Sequence, residues 1–234
     1  MSNPTLTDGT STTFRVIRAA VSSAIFPAIA FLGAGRLDWP RGWLYLGLFV
    51  VVTMVGVVIV DRANPGLLAA RSRGFRKDTK GFDKVFYALF IPLMVVYPLL
   101  AGIDAIRFTW AALPEWTIWP GVVLLLAGSA FTTWSLVVNR HAEGTVRIQS
   151  DRGHVVVTTG PYRFVRHPIY VGTIVGLPPV ALVLGSAWAF VPMALVIVSF
   201  VWRTAMEDCA LRRELAGYED YARVTRYRLV PGIW

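Results

Sequence analysis

The stretch "GPYRFVRHPIY", Gly160–Tyr170, gathers two arginines, a histidine and two tyrosines directly ahead of an apolar run. Pro168 suits the first position of a helix, where a missing N–H costs no hydrogen bond. His167 then stands at the cap, and Tyr170 shares its face. A helix start offers free N–H groups and about half a positive charge, which suits an anionic group such as a carboxylate. A second concentration is "VWRTAMEDCALRREL", in which Arg203 and Glu207 lie four residues apart and so on one helical face. Arg203 follows an apolar run and must snorkel or pair; Glu207 is its expected partner.

Both clusters also have a plainer reading. Arg163, Arg166 and Tyr170 would anchor a helix at the lipid headgroups, and Arg203–Glu207 would be an interfacial ion pair worth little. What favours a reactive site is that the two clusters flank one helical hairpin, which brings them together. The segment before them, "NRHAEGTVRIQSDRGHVVVTTGPYRFVRH", holds a short β-like run at Val155–Val157 followed by turn-forming residues. Irregular backbone at a membrane surface leaves amides in need of partners, and a bound cofactor can supply them.

The elements that position these residues are set by composition. With 55% hydrophobic residues and nine tryptophans in 234, the chain reads as an all-α integral membrane protein. Uncharged runs cover Ala19–Gly35, Gly42–Val60, Val85–Ile103, Trp116–Asn139 and Pro168–Trp202. A crossing needs roughly 20 apolar residues, so the last run is long enough to fold back at Gly185-Ser186, with Pro178-Pro179 kinking its first arm. Six crossings are expected. Residues 1–14 read as a disordered tail, 15–138 as the first transmembrane helices with a basic inner loop at 61–84, and 139–234 as a catalytic core. That core comprises a cofactor loop, a hairpin and an amphipathic C-terminal cap closing the site's inner side.

Charge gives the orientation. With the amino terminus cytoplasmic, 20 of the 23 Lys and Arg face inward and only Arg36, Arg41 and Arg107 fall outside. The net charge of +9 is thereby explained by topology and anionic headgroups, without nucleic acid. Both termini are expected in the cytoplasm. The loop "NPGLLAARSRGFRKDTKGFDK" reads as a surface helix lying on the headgroups, "LDWPRGW" as an interfacial aromatic belt, and Arg226 and Arg228 as contacts to lipid phosphate or backbone carbonyls. A single cysteine and widely spaced histidines at 141, 154 and 167 give no metal-ligand pattern. Nothing in the sequence calls for an obligate protein partner.

"GPYRFVRHPIYVG", followed by "RTAMED" and "LAGYEDYARVTRYRLVPGIW", resembles the isoprenylcysteine carboxyl methyltransferase family of integral-membrane enzymes, and "NPGLLAARSRGFRKDTKGFDKV" is similar to the inner loop of its prokaryotic members. The resemblance implies methyl transfer from S-adenosylmethionine to a carboxylate of a lipophilic substrate that enters from the bilayer. It places His154, Val156 within the Val155–Thr159 backbone, Gly160, Tyr162, His167 and Tyr170 along the cofactor site, and Arg203 and Glu207 at the reacting centre. Glu207 would either orient Arg203 or face the cofactor's ammonium. The family usually has Glu-Glu where this chain has Glu207-Asp208. Two alternatives share part of the pattern: a membrane sterol or enone reductase using NADPH, whose segment usually reads Arg-His-Pro-Asn-Tyr, and a phospholipid N-methyltransferase.

Overall fold

The computed structural model describes residues 12–234. Most of the expected tail lies outside the described residues; its last three, from Thr12, begin the first helix. That helix, α1, spans Thr12–Ala34, and α2 spans Pro40–Ala63. A short α3, Leu67–Arg71, leads to α4, Gly81–Gly102, whose end loosens into a π-helical turn, Ile103–Phe108. α5 covers Ile118–Val138 and, after a long irregular segment, α6 covers Pro168–Val175, α7 Pro179–Leu184, α8 Phe190–Glu214 and α9 Tyr218–Val224.

Five of these helices are long and apolar enough to span a bilayer. The segment expected as a fifth crossing kinked by Pro178-Pro179, residues 168–184, is built from two short apolar helices rather than one kinked helix. Pro178 and Pro179 have no N–H to give and clash with a continuing helix, so the chain breaks after Val175 and restarts at Pro179. Breaking a helix in an apolar setting strands its carbonyls, and each must find a donor. Tyr97 of α4 donates to Leu177 O at 2.7 Å. Arg41 of α2 donates to Leu182 O and Val183 O, both at 2.7 Å, and to Leu113 O at 3.0 Å. Arg41, expected to be part of a bland interfacial loop, is thus a cap on the end of α7. The fold-back itself occurs at Gly185, whose φ of +86° is open to glycine at little cost.

Asp104, fully buried, ties the same end of the bundle by accepting from Ser186 Oγ at 2.6 Å and Ala111 N at 2.8 Å. Trp43, Trp110, Trp116, Trp119 and Trp188 are exposed around this end, as an interfacial belt should be. Apolar residues along the helix flanks, such as Val51, Val55, Leu126 and Val198, also face outward, as they do where lipid replaces water.

Without a hydrophobic drive between helices in lipid, close packing decides which pairs associate. A Cβ at Gly33 would lie 2.1 Å from Leu99 O and one at Gly102 1.9 Å from Ala30 O, which locks α1 to α4. A Cβ at Gly128 would meet Gly172 O at 2.7 Å, and one at Gly172 would meet Thr132 N at 2.7 Å, so α5 and α6 touch backbone to backbone. That contact fixes the start of α6, and with it His167 and Tyr170. The Val155–Val157 run forms no strand; among the described residues the only β pairing is an isolated bridge between Ala112 and Ser186. Val156 instead packs on the C-terminal cluster of Leu215, Tyr218, Tyr221 and Ala222.

Candidate active site

At the end of the bundle opposite the tryptophan belt, α3, α4, α6, α8, α9 and the 139–157 segment surround a cavity of about 310 Å³. That is at the lower end of the range for small-molecule and cofactor sites. Its walls differ in character. Asn139, His141, Glu143, Gln149, His154 and Tyr162 give one polar side, while Phe86, Phe90, Phe200 and Ile169 give an apolar side built from the membrane helices.

Of the residues predicted for the site, His154, Val156, Tyr162, His167, Tyr170, Arg203 and Glu207 all line this cavity. Gly160 does not. It sits half-buried with φ of +57° against α5, where a Cβ would press on Val138 at 3.1 Å and Trp134 at 3.3 Å, so it serves the turn rather than the cavity.

The pairing expected within α8 is also corrected. Arg203 is buried, and its Nη2 lies 2.8 Å from Asp83 Oδ1 and donates to Gly144 O at 2.9 Å. Its guanidinium carbon stands 4.4 Å from the centroid of Phe86 and 5.2 Å from those of Tyr87 and Tyr170, in cation–π range. Asp83 is fully buried, and its other oxygen accepts from Val146 N at 2.9 Å. Glu207, one helical turn from Arg203, instead accepts a hydrogen bond from Tyr170 OH and has no cation within ion-pair distance among the described residues.

Asp208 is the hub of a clasp. Arg166 approaches it with two nitrogens, at 2.7 and 3.1 Å. Arg228 Nε lies at 3.0 Å, Arg212 Nε at 3.2 Å and Tyr218 OH at 3.0 Å, with His167 Nε2 at 3.5 Å. Arg166 also donates to Thr225 O and Arg226 O, and its backbone N–H to Tyr227 O. Arg166 is therefore a buried tie between the start of α6 and the C-terminal tail, not an interfacial anchor, and Arg228 contacts a carboxylate rather than lipid. The clasp lays Tyr218 and Tyr221 along the cavity, as the expected closing cap requires. Burial raises the pKa of both phenols, which keeps them neutral donors.

The irregular segment is held by charge. Arg147, buried, donates to Glu143 and Asp151 at 2.8 Å each and lies 3.1 Å from Asp78. Its hydrogen bond to the Glu143 carboxylate raises its pKa above the usual arginine value. The rings of His141 and His154 pack 4.8 Å apart. Burial lowers both pKa values, that of His141 to about 4, so the pair is neutral near pH 7. Tyr162 OH accepts from Asn139 Nδ2 at 2.8 Å, and its pKa is raised by burial.

Sequence reasoning missed Asp83, Arg71, His141 and the role of Asp208. Asp83 carried one signal, an acid just inside the edge of a membrane helix. The loop expected to lie on headgroups also turns inward, since Leu67 and Ala70 of α3 are buried and Arg71 reaches the cavity.

Residues 116–216 match the family model for phospholipid methyltransferases. The chain is similar to that family over this stretch, a little under half its length. The match runs from the turn before α5 to just beyond α8. It contains every predicted site residue and Asp208, and leaves out Arg71 and Asp83. No curated protein matches the chain. The reaction class this likeness supports is methyl transfer at a membrane.

Proposed function

We propose that the protein transfers a methyl group from S-adenosylmethionine to a carboxylate of a lipophilic, isoprenylcysteine-like acceptor. The observation that carries this reading is the cavity with two characters, polar toward the 139–157 segment and apolar toward α4 and α8, with Arg203 and Glu207 between them. The residues fit the methyl donor chemically. His154 and Asn139 offer polar contacts for a nucleoside, and Val156, Leu211, Tyr218 and Tyr221 offer a flat apolar wall. Glu207, without a cation of its own, suits an ammonium or sulfonium.

When bound, the donor supplies an electrophilic methyl on a positively charged sulfur. A carboxylate is already a nucleophile at neutral pH, so no residue has to remove a proton. What the chain supplies is placement and exclusion of water, which can lower a barrier by several kcal/mol. Arg203, held rigid by Asp83, Gly144 O and three aromatic rings, keeps Nη1 free to hold the acceptor's anionic group. By the 20-to-3 distribution of basic residues the cavity lies on the cytoplasmic side, with both termini there.

A second reading, phospholipid N-methylation, is favoured by the family match and by Glu207, which could take the proton that an ammonium acceptor must lose. The two readings separate by product. Purified protein in lipid, given donor labelled in the methyl group with a prenylcysteine acid or phosphatidylethanolamine, should release label as volatile methanol after alkali if an ester forms. N-methyl label survives alkali. Binding of NADPH with no response to the methyl donor would overturn both readings.

A further inference from the structure

Four arginines line the cavity: Arg71, Arg147, Arg166 and Arg203. Three are neutralised, Arg147 by Glu143 at 2.8 Å, Arg166 by Asp208 at 2.7 Å and Arg203 by Asp83 at 2.8 Å. Arg71 has no carboxylate within ion-pair distance among the described residues. Its Nη1 donates to Ala142 O at 2.7 Å and Glu143 O at 3.3 Å, which fixes the side chain. Its Nε and Nη2 have no partner there and are not sealed inside the protein.

The helix carrying it is firmly seated. Leu67 is buried with Val60 and Ala142, so α3 is packed on the end of α2 and on the 139–157 segment. Burial lowers the pKa of Arg71, but an arginine stays charged in proteins. A fixed guanidinium with one edge open to a cavity matches a planar oxyanion bidentately. The charge count agrees. Glu143 and Glu207 are the carboxylates lining the cavity, and Glu143 is held by Arg147 and Arg152. The two uncommitted charges are therefore Arg71 and Glu207, one of each sign.

We infer that Arg71 is an oxyanion-binding residue of the cavity, receiving a carboxylate or phosphate of the bound ligand through Nε and Nη2. The anion has two possible sources, the amino-acid end of the methyl donor and the headgroup of the acceptor; only this choice rests on the methyltransferase reading.

The test uses the whole chain in detergent, as wild type, Arg71→Gln and Arg71→Lys, each shown to be folded by its melting temperature. The probes are S-adenosylhomocysteine and methylthioadenosine, which lacks the amino-acid end, together with oleate, dioleoyl phosphatidate and uncharged oleyl alcohol. Arg71→Gln should weaken at least one anionic probe tenfold or more while sparing its uncharged counterpart, and Arg71→Lys should weaken it less. Loss on S-adenosylhomocysteine but not methylthioadenosine assigns the anion to the donor. Loss on oleate or phosphatidate but not oleyl alcohol assigns it to the acceptor. No change, or equal loss on charged and uncharged probes, overturns the inference. If wild type binds no S-adenosylhomocysteine, the methyl-donor reading fails and the lipid probes alone judge Arg71. If Arg71→Gln does not fold, Arg71→Lys carries the test: a several-fold loss confined to the anionic probes supports the inference, and none defeats it.

Discussion

Arg203 of α8 pairs with Asp83 of α4 at 2.8 Å, across two helices, and not with Glu207 on its own helix. Four-residue spacing puts two side chains on one face, but it does not decide which of two acids a guanidinium meets. Here the aromatic rings of Phe86, Tyr87 and Tyr170 hold the guanidinium near α4, and Glu207 turns to Tyr170.

Asp83→Asn should therefore impair the protein as strongly as a change at Arg203. Asparagine can still accept from Val146 N, but the charge of Arg203 loses its counterion, and breaking a buried pair costs about 3–5 kcal/mol. Thermal unfolding in detergent should show the loss. Methyl transfer per folded molecule should fall at least tenfold, with binding of S-adenosylhomocysteine little changed. A variant with wild-type turnover would remove Asp83 from the support of Arg203.

Asp208 gathers Arg166, Arg212 and Arg228, and without it three cations face one another. Asp208→Asn should release the tail from the start of α6. Limited proteolysis within residues 216–234 should then speed up, while the membrane helices remain intact. Asp208→Glu adds a methylene to a fully buried site and should also destabilise, by about 1–3 kcal/mol. Equal protease resistance in all three proteins would mean that the clasp does not hold the tail.

Much of the membrane architecture was legible in the sequence, because uncharged runs of spanning length leave few alternatives, and the fold-back at Gly185 followed from one run being too long. The break at Pro178-Pro179 reads only as a kink, since whether a proline breaks a membrane helix depends on donors elsewhere, here Tyr97 and Arg41. The cavity lining was legible where one short stretch carried it, at His154, Val156, Tyr162, His167 and Tyr170, with Gly160 between them serving the turn. It was not legible where partners come from distant helices: nothing local says that Asp83 meets Arg203, or that Arg71 turns inward.

His141 gives a pH signature. Its pKa is lowered by burial, then by His154 and the nearby arginines, to about 4 against an ordinary value near 6.5. The unfolded chain thus binds a proton that the folded chain refuses between those values. Stability is full above pH 6.5 and declines as pH falls toward 4, by on the order of 2–3 kcal/mol. Melting temperature measured from pH 7 to 4.5 should drop in wild type and drop less in His141→Gln. Parallel curves would assign the acid sensitivity to other groups.

Glu207 and Tyr170 can be separated because one change removes a charge and the other only a hydrogen bond. Glu207→Gln keeps an oxygen that accepts from Tyr170 OH, so packing around α6 and α8 should survive. The cavity nonetheless loses the negative charge that suits the donor's cationic groups. Affinity for S-adenosylmethionine should fall, by on the order of 1.5–3 kcal/mol for a charged hydrogen bond. Tyr170→Phe leaves the carboxylate in place without its donor, so the attraction to a cation remains and affinity should change less than threefold. Calorimetric titration of both variants, beside a melting-temperature check, decides the point. Equal losses would show that the hydrogen bond orients the carboxylate and that its charge alone is not enough; no loss in Glu207→Gln would move the donor's cation elsewhere in the cavity.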